Sequence, residues 1–235
     1  QDEGLVKGLL GMIEGQRNAF SSERVYRRAL ALVLGELLAG AKHRVTDLLR
    51  ALGLWEADWN GFYRLWSRAG RMEEEKLSEG LLKETLAEVG PGDLYVVGAD
   101  SFQVPRDSWK MEGTGWLKCP RTPVFRIGIH RAQRFLEMSW LTPLVEGFSR
   151  AIPLRLLPAF AAKAICKEHK PQTETEAGLA ALQWLRAQLD AAGRAMQQVL
   201  VLLDGGFDTL DFWKGLPAGC LVLVRTARNR ALCHL

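Results

Sequence analysis

Cysteine is scarce in this chain of 235 residues, and its four copies are scattered: Cys119, Cys166, Cys220 and Cys233. None is spaced as Cys-x-x-Cys, which argues against a zinc site. Scattered thiols in a chain of this size fit a reducing cytosol. Long apolar runs are also missing. The longest, Ala29 to Leu38, is broken by Glu36 and falls short of the roughly 20 residues that span a bilayer. The first residues, Gln1-Asp2-Glu3, have the wrong charge for a secretory leader. The chain starts without Met and stops at His234-Leu235, as a piece of something longer would.

Strong net charge is absent too, at +4 overall, but its distribution is uneven. Residues 101–170 carry twelve Lys and Arg against five Asp and Glu, an excess of seven. The basic surplus thus follows Asp100 directly and points to a polyanionic partner, a pattern that a solvated face of a large domain also produces. An apolar share of 48% with 25% charged residues is ordinary for a globular chain.

What is present begins with two apolar runs that each end on Asp. Leu94-Tyr95-Val96-Val97-Gly98-Ala99-Asp100 follows Pro91-Gly92 and predicts a buried strand. Gln198-Val199-Leu200-Val201-Leu202-Leu203-Asp204 repeats the pattern and runs into Gly205-Gly206. A carboxylate at the end of a buried strand has to be paired, hydrogen-bonded or metal-bound. If the two strands are neighbours, both Asp side chains converge at one sheet end and hold a hard cation.

The rest of the chain falls into a helical region, 1–92, and a region of strands, 93–235. Periodicity predicts helices over Val25 to Leu38, Leu48 to Leu52, Phe62 to Ala69 and Glu73 to Val89, with Thr46-Asp47 and Asp58 as caps. In that region His43, Arg44, Arg50, Arg64 and Arg68 are available to touch phosphate. After Asp100, Gly113-Thr114-Gly115 reads as a turn, and Phe125 to His130 and Arg134 to Leu141 read as two strands. Together with the strand ending at Asp100 they predict a three-stranded antiparallel meander. Residues 142–171, with Pro143, Pro153 and Pro158, read as a long loop holding one short helix. A helix beginning at Thr175-Glu176, the strand to Asp204, a short helix after Asp208 and a strand Cys220 to Val224 complete the order.

Three strands, a helix, a strand ending in Asp, a short helix and a strand is the order of an RNase H-like mixed sheet, here following an amino-terminal helical region. Several motifs carry a family resemblance: Val97-Gly98-Ala99-Asp100-Ser101, Val104-Pro105-Arg106, Gly128-Ile129-His130-Arg131-Ala132-Gln133-Arg134, Ser149-Arg150-Ala151-Ile152-Pro153-Leu154-Arg155 and Leu203-Asp204-Gly205-Gly206-Phe207-Asp208. These resemble the catalytic-domain start of bacterial insertion-sequence DDE transposases. Val45-Thr46-Asp47-Leu48-Leu49-Arg50-Ala51-Leu52-Gly53-Leu54 is similar to the amino-terminal part of the same enzymes.

The resemblance implies metal-dependent cleavage and strand transfer at transposon ends. Asp100 and Asp204 would be catalytic acids and ligands of Mg2+, with Mn2+ as substitute. It implies double-stranded DNA, both transposon ends and target, as partner. It also implies a homodimer on DNA, no membrane association, and a bacterial cytoplasmic location at the nucleoid. Arg106, Arg126, His130, Arg131, Arg150, Arg155 and Arg225 are the expected DNA contacts. The family's third acid, a Glu, is expected well beyond Asp204, yet no Glu follows Asp204 here. This chain alone is therefore expected to be inactive, and a non-catalytic DNA-binding protein derived from such an enzyme is the alternative. A phosphohydrolase with Asp204 as nucleophile has no place for the helical first third.

Overall fold

A computed structural model of the chain describes residues 2–40, 42–67, 71–108, 110–119, 128–164, 166–167 and 169–226. The chain divides into two compact units, Gln1–Glu84 and Thr85–Leu235.

The first unit is helical: α1 (Asp2–Gly15), α2 (Glu23–Leu38), α3 (Val45–Ala51), α4 (Trp59–Ser67) and the greater part of α5 (Glu74–Ala87). Ser22 caps α2, its hydroxyl accepting from the Val25 amide at 3.4 Å. The Thr46-Asp47 pair expected to cap α3 lies inside the helix instead. The helix starts at Val45, and Asp47 lies in its first turn, where its charge meets the positive end of the dipole. Val25, Leu32, Leu48, Leu49, Phe62 and Leu65 form the buried core. Gly35 lets α2 and α3 pack closely: a Cβ there would stand 2.8 Å from Leu48 Cβ.

The second unit is built on one six-stranded mixed sheet. Its strands are β1 (Tyr95–Pro105), β2 (Gly115–Lys118), β3 (Ile129–Leu141), β4 (Ala151–Pro158), β5 (Val199–Leu203) and β6 (Cys220–Val224). The order is β2-β3-β1-β5-β6, with β4 also pairing β3. β1 runs antiparallel to β3 and parallel to β5, and β5 runs parallel to β6. β2 and β4 lie in tandem along the edge of β3 that faces away from β1. With α6 (Glu174–Ala191) between β4 and β5 and α7 (Leu210–Gly215) between β5 and β6, this is the RNase H-like arrangement expected from the element order.

Three expectations need correcting. The strand ending at Asp100 runs on to Pro105, because β3 is long enough to pair with every residue of the extension. One strand, β3, covers the stretch read as two, while 125–127 lie outside the described residues. Residues 151–158 form β4 rather than loop: Pro153 and Pro158 sit on an edge strand, where a missing N–H is tolerated.

Alternation assigns the two faces. Tyr95, Val97 and Ala99 of β1 and Val199 and Val201 of β5 are buried on one face. There α6 lies over the sheet, with Glu174 paired to Arg134 at 2.6 Å and Trp184 under the Arg155 guanidinium at 4.6 Å. A capping box starts α6: Thr173 accepts from the Glu176 amide, and the Glu176 carboxylate accepts from the Thr173 amide. The other face carries Val96, Gly98, Asp100 and Phe102, with Leu221 and Leu223 exposed.

The end of α5 is tied to the turn before β5. Arg194 donates to the carbonyls of Leu86 and Val89, and buried Gln197 donates to those of Gly90 and Asp93. Past the end of β3, the β3–β4 hairpin closes on Glu146 (φ 53°) and Gly147 (φ 83°), between mutual Val145–Phe148 hydrogen bonds of 2.9 Å. Among the described residues no helix is long and apolar enough to cross a membrane.

Candidate active site

The β1–β5 register pairs Ala99 with Leu203, so Asp100 and Asp204 are the next residues on two adjacent parallel strands. The β5–β6 register pairs Leu203 with Val224, which makes Arg225 the next residue beyond Asp204. On the other side, Asp100 pairs with Glu137 of β3. Glu137 of β3, Asp100 of β1 and the first residues past β5 and β6, Asp204 and Arg225, therefore follow one another in register, on the face away from α6. All four line a single open cleft of about 660 Å³, whose walls include Gly98, Ser139 and Leu202.

Local chemistry fixes each acid. Asp100 is exposed, and one of its carboxylate oxygens accepts from the Ser101 amide at 2.7 Å. It sits within β1, yet it is the first residue past the β1–β5 ladder, because β5 stops at Leu203. Asp204 is exposed and caps the 3-10 turn Gly205–Phe207, accepting from the Gly206 amide at 3.0 Å. Gly205 is required by close approach: a Cβ there would lie 2.8 Å from the Arg225 carbonyl oxygen. Ser139 donates to Glu137 at 3.0 Å. Among the described residues the Arg225 side chain makes no ion pair.

The expected basic residues have varied surroundings. Arg106 donates to Gln133 at 2.8 Å, His130 bonds Gln103 at 2.6 Å, and Arg131 donates to Thr114 at 2.6 Å. Arg155 lies over Trp184. Arg150 and Arg225 are exposed, and Arg126 lies outside the described residues. In the helical unit His43 pairs with Glu36 at 2.8 Å and Arg50 reaches Asp47 at 4.0 Å, while Arg68 is outside the described residues. Gly113 takes φ +73° against the Phe160 ring, and the Thr114 hydroxyl is occupied by Arg131 and the Met111 carbonyl. That segment is a filled turn leading into β2.

Glu137 carries no signal in the sequence. Only the β1–β3 register places it beside Asp100, and no local pattern holds that information.

Chemically, the row sets two exposed carboxylates side by side with a cation at one end and a third acid at the other. Hard oxygen donors on neighbouring strands suit a divalent cation such as magnesium. Among the described residues no group of three or more His, Cys, Asp or Glu is gathered closely enough to hold a metal ion. A protein-family model described as DDE superfamily endonuclease matches residues 18–234. A comparison with curated proteins found no match.

Proposed function

The chain belongs to the DDE superfamily of endonucleases, a family that implies a DNA substrate, and from that premise we propose that it acts as an insertion-sequence transposase. The proposed reactions are cleavage of a DNA strand at transposon ends and joining of the freed 3′-hydroxyl to target DNA. One observation carries the proposal: the register that brings Asp100 and Asp204 next to each other in one cleft.

In this reading Asp100 and Asp204 hold Mg2+, or Mn2+ in its place. When bound, such an ion supplies Lewis-acid polarisation of a phosphoryl oxygen and a lowered pKa for a coordinated water. The chain's own residues set the conditions. Two adjacent carboxylates repel, and a cation relieves that repulsion. Glu137 adds to the negative potential at Asp100 and is anchored by Ser139. Arg225, next in the row, is placed to meet a phosphate oxygen of the bound strand. Arg150 is also exposed. Arg106, His130, Arg131 and Arg155 would act from the cleft's surroundings, and the excess of basic residues over 101–170 supports a polyanionic partner. A homodimer bridging two transposon ends completes the proposal.

The test, made in a chain that also carries the family's third acid, is Mg2+-dependent nicking of a duplex bearing the element's ends. Asp100→Asn and Asp204→Asn are expected to abolish nicking and to leave duplex binding within a few-fold of wild type. Retained nicking in either variant would sink the assignment.

A second reading is favoured by a single observation, the absence of a three-acid cluster among the described residues. It makes the chain a non-catalytic DNA-binding protein of transposase descent. That reading expects salt-sensitive duplex binding that is indifferent to Mg2+, and no nicking under any condition.

A further inference from the structure

A second concave site lies wholly within the helical unit. It has a volume of about 300 Å³ and is lined by Ser21, Arg24, Arg28, Gly61, Arg64 and Arg71, with Asp58 at its side. Four arginines from three separate segments converge there. Arg24 and Arg28 share one face of the first turns of α2, being four residues apart. Arg64 comes from α4. Arg71 is brought in by a bridge between Phe20 and Met72, with the Ser21 amide donating to the Arg71 carbonyl at 3.0 Å.

The balancing acids are few. Asp58 pairs with Arg28 at 3.1 Å, and Arg28 also lies over the Phe62 ring at 5.8 Å, so its guanidinium is held in place. Gly61 makes room for that pair: a Cβ there would run into both the Arg28 guanidinium and the Asp58 carboxylate. Glu23, in the first turn of α2, is taken by Arg17 and Arg27, and Glu73, two residues past Arg71, by Lys76. Among the described residues, the side chains of Arg24, Arg64 and Arg71 meet no carboxylate. The positive end of α2 adds to the same field. Like charges held together in a concavity gain most from an anion, and guanidinium forks match the geometry of phosphate oxygens.

We infer that this cleft binds a phosphate group of the DNA backbone, as an anchor separate from the carboxylate row. The inference rests on the reading of the chain as a DNA-binding endonuclease, and the experiment is arranged to separate the two. Fluorescence anisotropy of a labelled duplex is followed against NaCl concentration for wild type, Arg64→Gln/Arg71→Gln and Arg27→Gln. Thermal unfolding of each chain, with and without inorganic phosphate, accompanies the binding curves.

The double variant is expected to bind more weakly, with the slope of log affinity against log salt reduced by about 1 for each DNA phosphate that is no longer neutralised. Arg27→Gln, which removes an exposed arginine already paired with Glu23, is expected to keep the wild-type slope. Gly61→Ala leaves the charge unchanged and disturbs the Arg28–Asp58 pair, so weakened binding by a folded Gly61→Ala chain supports the cleft independently. Wild-type slope and affinity in the double variant overturn the inference and leave the nuclease reading standing. Failure of the wild-type chain to bind any duplex overturns both. If phosphate raises the wild-type midpoint, does not raise that of the double variant, and no duplex is bound, the cleft is a free-anion site and the backbone assignment is wrong.

Discussion

Gly205 lies against the backbone just past the end of β6, and substituting it tests the site without touching a charge. A methyl group there would lie 2.8 Å from the Arg225 carbonyl oxygen, where ordinary contact begins near 3.4 Å. The two strand ends must then separate by about 0.6 Å, since the obstacle is backbone and cannot rotate away. That movement displaces Asp204 and Arg225 relative to each other and to Asp100. Misplacement of reacting groups by about 1 Å costs on the order of a hundredfold in rate, so Gly205→Ala is expected to lose on the order of tenfold in nicking. Local crowding of this kind costs about 1–3 kcal/mol of stability, readable as a shift in urea midpoint.

Two neighbouring glycines grade the effect. At Gly206 the nearest atom is a side-chain oxygen of Asp204 at 3.1 Å, which can give way without moving backbone, so a smaller loss of stability is expected. At Gly98, on the floor of the same cleft, the nearest atom is Leu141 Cδ1 at 3.6 Å, an ordinary contact. Gly98→Ala is expected to nick like wild type and to be slightly more stable, because alanine restricts the unfolded chain. The assay is conversion of supercoiled plasmid carrying the element's ends in Mg2+, by chains that also carry the family's third acid, alongside duplex binding and urea unfolding. A folded Gly205→Ala chain that nicks at the wild-type rate would refute the reasoning, as would Gly98→Ala falling as far as Gly205→Ala.

Two further predictions concern stability. Burial pushes the Tyr95 phenol up to about 12, against a partial opposing effect of its 2.6 Å hydrogen bond with Thr85. Its stabilisation is therefore complete below the unfolded value near 10 and is lost as pH rises through the folded value; about 1.4 kcal/mol is gone at pH 11. Tyr95→Phe lacks this loss, so equal falls in urea midpoint for both chains between pH 9 and pH 11 would contradict it. Gly35→Ala would press a methyl group against Leu48, 2.8 Å from its Cβ and 3.0 Å from its carbonyl oxygen. A destabilisation of about 1–3 kcal/mol is expected by denaturant titration, and an unchanged midpoint would show that α2 and α3 can part freely.

The parts of the fold legible in the sequence are those with one-dimensional signatures. β5 and β6 are apolar runs bounded by Asp204-Gly205-Gly206 and by Gly219, and they lie at Val199–Leu203 and Cys220–Val224. The helix before β5 is legible from its apolar stripe, although its cap is Thr173 rather than Thr175, because the reciprocal bond with Glu176 decides the start. The extension of β1 is hidden because Asp100, Ser101 and Gln103 have the composition of a loop. Pairing with β3 overrides that composition. β4 is masked by its two prolines, which an edge strand tolerates. At the site, the pairing of Asp100 with Asp204 is an extrapolation from two similar runs. Glu137 depends on a register, and the arginine cleft depends on a bridge between Phe20 and Met72, about fifty positions apart. Neither leaves a trace in local periodicity.

The parallel ladder between β1 and β5 has an evolutionary corollary. The carboxylates owe their proximity to five paired positions, and not to the length of the hundred or so residues that separate them in sequence. The Glu146–Gly147 turn lies past Leu141, the last residue of β3, and outside the β1–β5 ladder. Extra chain spliced into such a loop tip is tolerated when the backbone pairing on either side is kept. Lineages of this protein can therefore acquire or shed material there while the chemistry stays where it is.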